Sequence, residues 1–150
     1  MKTFSNSNAR VPASDFFVLP RSNSARENVL AEDELLASIQ LPAARAGTRS
    51  RYHKVMDRET WTHAVVSAAV VLEMDREVCR SARIVLGGVA PIPWRLPEVE
   101  RMLAGQRITE ELAAKASEAS VTGARALSKN AYKIPLTRGV VRRAILEARG

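Results

Sequence analysis

The sequence has one cysteine and few aromatic residues. Cys79 cannot form an internal disulfide, and no second cysteine stands near it to build a zinc or iron–sulfur site. We therefore expect a reducing, cytoplasmic setting. Aromatic residues make up 5% of the chain, so a core must be built mainly from Val, Leu, Ile and Ala, which the hydrophobic fraction of 46% allows.

Long apolar runs are also missing. The longest is interrupted by His63, Ser67 and Glu73, whereas a membrane-spanning helix needs roughly 18 or more apolar residues in succession. The first residues lack the basic and then apolar layout of a signal peptide. We therefore expect no membrane partner.

The charge is positive but dispersed. The chain carries 23 basic and 16 acidic residues, for a formal net charge of +7, yet it contains no long run of Lys or Arg. A protein that binds single-stranded nucleic acid needs aromatic side chains near its basic residues, on which the bases stack. Few aromatic residues accompany the basic residues here. We therefore expect no nucleic-acid partner; a solvated surface or a face that meets an acidic partner subunit explains the charge.

Phosphate-binding loops and metal-ligand spacings are absent as well. There is neither a GxGxxG nor a Walker sequence, and the pair Gly87-Gly88 by itself predicts a tight turn or a close backbone approach. His53 and His63 stand ten residues apart without a nearby cysteine and make a poor metal site. Both are expected to be packing or surface residues.

Along the chain, residues 1–13 are polar and are predicted to be disordered. A short helical turn is predicted at 32–36, and a strand at 38–41 that Pro42 ends. Residues 43–50 have the character of a linker, and the main domain boundary is placed there.

The remaining residues predict strands followed by helices. Strands are predicted at 52–58 and 79–89, while 64–74 is either a buried strand or a helix. Helices are predicted from Pro97 to Gly105, after a cap at Thr109, and towards the C-terminus, with an irregular turn near Lys133 or a start at Pro135. This order indicates an α+β domain.

One group of residues suits a flavin. Tyr52, Lys54, Arg58 and Trp61 bring aromatic rings close to cations in the sequence. An aromatic side chain can pack on a flavin ring, and a cation can stabilise negative charge on the reduced ring. Ordinary core packing explains the same spacing, so both interpretations stay open at this point.

Several segments together resemble a known family. They are Tyr52-x-Lys54-x-x-x-Arg58, Ala64–Ala69, Ala82–Arg95, Glu100-x-x-Leu103-x-Gly105, Asn130–Lys133 and Val141–Ala144. Over roughly residues 49–146 the chain resembles the C-terminal domain of the FAD-binding (medium) subunit of molybdopterin dehydrogenases. That family includes xanthine dehydrogenase, aldehyde oxidoreductases and carbon monoxide dehydrogenase.

The resemblance implies a fold and a division of the chain. The fold would be an antiparallel sheet of three to four strands followed by a layer of about three helices. Residues 14–45 are similar to the end of the FAD-binding domain plus a linker, and 46–150 would form the C-terminal α+β domain. The rest of the flavin domain, with the glycine-rich loops that hold the FAD pyrophosphate in the family, is absent from this sequence.

The resemblance also implies a role. Lys54 would lie near the flavin ring, Trp61 near its face or edge, and Arg58 would organise the loop. FAD would be shared with a missing or separate flavin domain. A molybdopterin-binding large subunit and an iron–sulfur small subunit would be partners, and a separate FAD-domain chain is a further candidate. Electrons would pass from molybdenum through iron–sulfur clusters to FAD and an acceptor. The alternative is an assembly module, derived from this domain, that has no flavin.

Overall fold

The chain divides into two units, Met1–Leu41 and Pro42–Gly150. The structure, a computed structural model, describes residues 9–60 and 62–150. Most of the stretch predicted to be disordered, residues 1–8, therefore lies outside the described residues.

The first unit contains little regular structure. Its one described helix, α1 (Ala13–Phe16), is four residues long, and Phe17 forms an isolated antiparallel bridge with Asn28. The rings of Phe16 and Phe17 meet edge to face, with centroids 5.2 Å apart. The predicted helical turn is reduced to a turn closed by the Glu34 N–H, which donates to the Ala31 carbonyl at 3.1 Å.

The predicted strand at 38–41 is wrong. These residues adopt no regular structure, and Leu35, Ile39 and Leu41 are 91%, 75% and 83% exposed. A period-two pattern forms a strand only where a neighbouring strand accepts its hydrogen bonds and buries its apolar face. No described strand pairs with this segment, so its alternation has no structural effect here.

The second unit is built on an antiparallel sheet, as predicted. Its strands are β1 (Thr48–Val55), β2 (Val66–Asp75), β3 (Val78–Gly87) and the two-residue strands β4 (Trp94–Arg95) and β5 (Gln106–Arg107). The order is β1-β2-β3-β4, and β5 pairs with β3. The count exceeds the expected three to four because the short strands β4 and β5 both pair with β3.

The ambiguous segment 64–74 is a strand. Val66, Ala68, Val70 and Leu72 are all buried and alternate along β2 with less buried positions such as Val71. Side chains at every second position of a strand share one face. β2 therefore supplies the centre of a buried surface, which we call the inner face of the sheet.

Three helices follow β4, as predicted, and β5 lies between the first and the second of them. They are α2 (Pro97–Leu103), α3 (Glu110–Ala119) and α4 (Lys133–Arg149). The Thr109 side chain caps α3 by accepting the Leu112 N–H at 3.1 Å. Because α4 begins at Lys133, Pro135 lies in its first turn, where the missing N–H costs no intrahelical bond.

The core lies between the inner face and the helices. α4 contacts β1 and β2, and α2 contacts β3. The fully buried side chains are mostly aliphatic: Leu72, Ile84, Leu103, Ile145, Val66, Val70, Val99 and Val141, with Cys79. Each large aliphatic side chain contributes about 1.5–3 kcal/mol when buried, so the low aromatic content is no obstacle to a core.

A buried carboxylate joins α2 to the sheet. Glu100 is 6% exposed, and its Oε1 accepts the Ile84 N–H at 2.9 Å and Arg95 Nε at 2.9 Å. Its Oε2 accepts Arg95 Nη2 at 2.6 Å. Burial by itself would raise the pKa of Glu100, but the hydrogen bonds from Arg95 and Ile84 outweigh it and hold the pKa below its ordinary value. The carboxylate thus fixes the positions of β3 and β4.

We expect Glu100→Gln to lower the free energy of unfolding by about 2 kcal/mol at pH 7, because it removes a charged acceptor from two partners. Since the folded-state pKa is lowered, this contribution is present above the unfolded value of about 4.3 and is lost as the pH falls through the folded value. Urea titrations of wild type and variant between pH 7 and 3 measure the difference.

Glu98→Gln is the matched control. Glu98 pairs with Arg101 in the same helix, but its side chain is 81% exposed, so its loss should change stability by less than about 0.5 kcal/mol. Equal effects of the two substitutions at pH 7 would contradict the role given to Glu100.

Candidate functional site

The other side of the sheet, which we call the outer face, carries no helix within the described part of the second unit. Strand register places Tyr52, Ala69 and Val85 in one row across it, and Val71 beside Arg83 in the next. Tyr52 is 60% and Val71 36% exposed. An accessible apolar strip with an aromatic ring is a surface suited to a partner domain or a planar ligand.

Lys54 stands at one end of this face. It lies opposite Ser67 on β2, and Ser67 lies opposite Gly87 on β3. Lys54 Nζ donates to the Thr62 carbonyl at 3.1 Å. The lysine therefore fastens the loop between β1 and β2, residues 56–65, to the strand from which the loop leaves.

The same loop contains the other predicted site residues. It closes where the Val65 N–H donates to the Val55 carbonyl at 2.8 Å. Arg58 is exposed within it, near the carboxyl-bearing Asp57 and Glu59 in sequence. Trp61 lies outside the described residues. The structure thus brings Lys54 and the loop together, while the flavin roles of Lys54, Arg58 and Trp61 stay predictions.

Gly88 confirms the predicted close backbone approach. Its φ is +76°, and a Cβ built on it would lie 2.8 Å from both the Ala64 and the Val65 carbonyl oxygens. Lys133 Nζ donates to the Gly88 carbonyl at 2.9 Å. The end of the β1–β2 loop, the start of the β3–β4 loop and the first turn of α4 meet at this glycine.

Sequence reasoning missed the Lys133 contact. Lys133 belongs to a segment that contributes to the family resemblance, but no pattern in the sequence pairs it with residue 88, which is 45 positions away. The hydrogen bond from Lys54 to Thr62 was missed for the same reason, since a backbone acceptor carries no residue-type signal.

Other chemical groups do not form a reactive site in the described residues. Residues 9–60 and 62–150 contain no group of three or more His, Cys, Asp or Glu side chains that could hold a metal. His53 Nδ1 lies 3.6 Å from Glu147 Oε2, in an ion-pair geometry, and His63 is exposed. Cys79 is buried; burial and then the nearby charge of Glu73 raise the pKa of its thiol. It is therefore a packing residue.

In the described part of the chain, none of the helices has the length and apolar character to cross a lipid bilayer.

Gly88→Ala should destabilise the protein by about 2 kcal/mol or more. The added Cβ would clash with two carbonyl oxygens, and the positive φ at this position is unfavourable for any residue with a side chain. Gly105→Ala is the control, since Gly105 has the same φ of +76° but no atom within 4 Å of an added Cβ. The difference in melting temperature between the two variants measures the effect of the close contact alone, because both substitutions share the unfavourable backbone conformation. A Gly88 variant no less stable than the Gly105 variant would refute the close approach.

The chain is similar to proteins of known family. Residues 51–148 match the family model described as the CO dehydrogenase flavoprotein C-terminal domain. The chain is 29% identical to the FAD-binding subunit of an aldehyde oxidoreductase of Escherichia coli (strain K12), over 93% of this chain and 40% of that subunit. It is 30% identical to the nicotine 6-hydroxylase medium subunit of Paenarthrobacter nicotinovorans, over 92% of this chain and 47% of that one.

A solved structure agrees with these relatives. Reconstituted CO dehydrogenase from Oligotropha carboxidovorans superposes with a TM-score of 0.77 at 27% identity, over 90% of this chain and 46% of that chain. The described α+β architecture is thus that of a CO dehydrogenase polypeptide. The chain spans less than half the length of each of these relatives.

Proposed function

Because the chain belongs to the CO dehydrogenase flavoprotein C-terminal domain family, we propose that it is the C-terminal part of the FAD-binding subunit of a molybdenum hydroxylase-type oxidoreductase. One observation carries the proposal: Lys54 projects from an uncovered sheet face and fastens the β1–β2 loop beside exposed Tyr52. That surface would pack against a flavin domain and meet the ring end of its FAD.

The residues present suit the ring end of the cofactor. FAD supplies the redox chemistry when it is bound. The Lys54 ammonium gives one hydrogen bond to Thr62, which leaves its other N–H groups for an acceptor on the ring. A fixed cation there would favour a reduced, negatively charged flavin. Arg58 would orient the loop, and Trp61 would contact the ring's face or edge.

The residues present do not suit the pyrophosphate end. A dinucleotide pyrophosphate is usually held by a glycine-rich loop or by backbone N–H groups at a helix N-terminus, and the sequence has no GxGxxG or Walker loop. We infer that residues 46–150 form a docking half and that residues 14–45 correspond to the end of a flavin domain.

The wider assembly follows from the same proposal. A molybdopterin-binding large subunit and an iron–sulfur small subunit would be partners, and electrons would pass from molybdenum through the clusters to FAD and then to an acceptor. A separate FAD-domain chain is a further candidate partner. A cytoplasmic location, which the single cysteine predicts, stays a prediction.

A second candidate function is a non-catalytic assembly module that has lost flavin. It is favoured by the hydrogen bond from Lys54 Nζ to the Thr62 carbonyl, which gives the lysine a structural role without any ligand. In this case the outer face would still bind a protein partner, but Lys54 would serve only to fasten the loop to β1.

Flavin binding to the purified chain distinguishes the two. We expect FAD and riboflavin to bind with similar dissociation constants, because the ring end provides the contacts, and their fluorescence to be quenched. Lys54→Gln should weaken binding of both by about tenfold, the effect of losing one charge-assisted hydrogen bond. Fluorescence titration, with absorption spectra after removal of free flavin, gives the constants.

Lys115→Gln is the control, because it removes one exposed lysine from α3, away from the β1–β2 loop. Binding that is identical in the Lys54 and Lys115 variants would remove Lys54 from the flavin site. No binding of either flavin by the wild-type chain at millimolar concentration would contradict the ring-end site and favour the assembly module.

A further inference from the structure

A second concave site is lined by residues other than those of the outer face. A cleft of about 210 Å³ opens between the β3–β4 loop, the segment that joins α3 to α4, and the first turn of α4. Neither Lys54 nor any residue of the β1–β2 loop lines it. The cleft therefore presents a chemistry of its own.

Part of the cleft lining is apolar. Leu86 from β3, Val89, Trp94 and Ile134 contribute to its wall. Trp94 is 46% exposed, so its ring is available to a ligand. A cavity of about 150 Å³ is known to hold a benzene molecule. The cleft is therefore large enough for one aromatic ring with a small substituent.

The charged groups of the cleft all have one sign. Arg125 and Lys133 line it, and no aspartate or glutamate does. Arg125 makes no hydrogen bond or ion pair with any residue in the described ranges. Lys133 donates to the Gly88 carbonyl, which leaves its remaining N–H groups available. An anionic substituent would thus be attracted without displacing an existing ion pair.

Two further features favour an anion over a neutral group. The first turn of the 17-residue helix α4 borders the cleft, and the N-terminal end of a helix carries partial positive charge. The guanidinium of an arginine also matches the planar fork of a carboxylate. A planar apolar body and a carboxylate complement the two sides of the site.

We propose that this cleft binds a small aromatic carboxylate. Its ring would lie against Trp94 and Val89, and its carboxylate would be held between Arg125 and Lys133. The proposal does not depend on the flavin function, because the two sites share no ligand-facing side chain.

Benzoate is the probe. In amide chemical-shift titrations of the full ¹⁵N-labelled chain, we expect saturable shifts confined to residues 86–94, 120–126 and 130–137. Arg125→Gln should weaken benzoate binding by about tenfold. Lys129→Gln should leave it unchanged, because Lys129 is exposed in the same segment but does not line the cleft. Benzamide and acetate, which lack the charge and the ring respectively, should both bind more weakly than benzoate.

Ala124→Leu provides an independent test that does not alter charge. Ala124 is an exposed residue of the cleft lining, so the larger side chain should obstruct the site without disturbing the core. Loss of benzoate binding with an unchanged melting temperature is expected. Equal affinity in the wild type and the Arg125 variant, equal affinity for benzamide, or no saturable shift at about 10 mM benzoate would each overturn the proposal. Lys54→Gln should not affect benzoate, so a failure here is distinct from a failure of the flavin site.

Discussion

The crowded backbone around Gly88 determines the geometry of both candidate sites. The glycine lies against the carbonyls of Ala64 and Val65, which end the β1–β2 loop, and its own carbonyl accepts the Lys133 ammonium. A side chain at this position would push the loop away from β3, because the neighbouring atoms are backbone oxygens that cannot move independently. The β1–β2 loop is therefore held at two places. Lys54 binds it at Thr62, and Gly88 packs against its last residues and also contacts the first turn of α4.

The one-sided cover of the sheet explains why an uncovered face exists at all. Val66, Val70 and Ile84 are buried beneath the helices, and this burial provides the main favourable free energy of the second unit. The outer face is not needed for that core. It retains Tyr52 and Val71 as accessible apolar groups, in the way that antiparallel sheets commonly keep one face for solvent or for a partner.

The sequence predicts the elements of the second unit well and their long-range contacts poorly. Thr109 and Pro97 mark helix starts by local chemistry, and the structure confirms both. The residues at 38–41 have the alternation of a strand, but that pattern cannot reveal whether a partner strand exists. No sequence pattern predicts the hydrogen bond between Lys133 and the Gly88 carbonyl either. The family resemblance identified Lys54 as a site residue. Its hydrogen bond to the Thr62 carbonyl became visible only in the folded structure.

The cationic side chains at the two ends of the sheet differ in the partners that they contact. At the β2–β3 hairpin end of the sheet, Arg80 pairs with Asp75 and Arg107 with Glu77. At the opposite end the described contacts of Lys54 and Lys133 are to backbone carbonyls. A carbonyl oxygen satisfies a donor but does not cancel a charge. Lys54 and Lys133 therefore keep their positive charges beside the uncovered face and the cleft, where an acidic partner surface or an anionic ligand can pair with them.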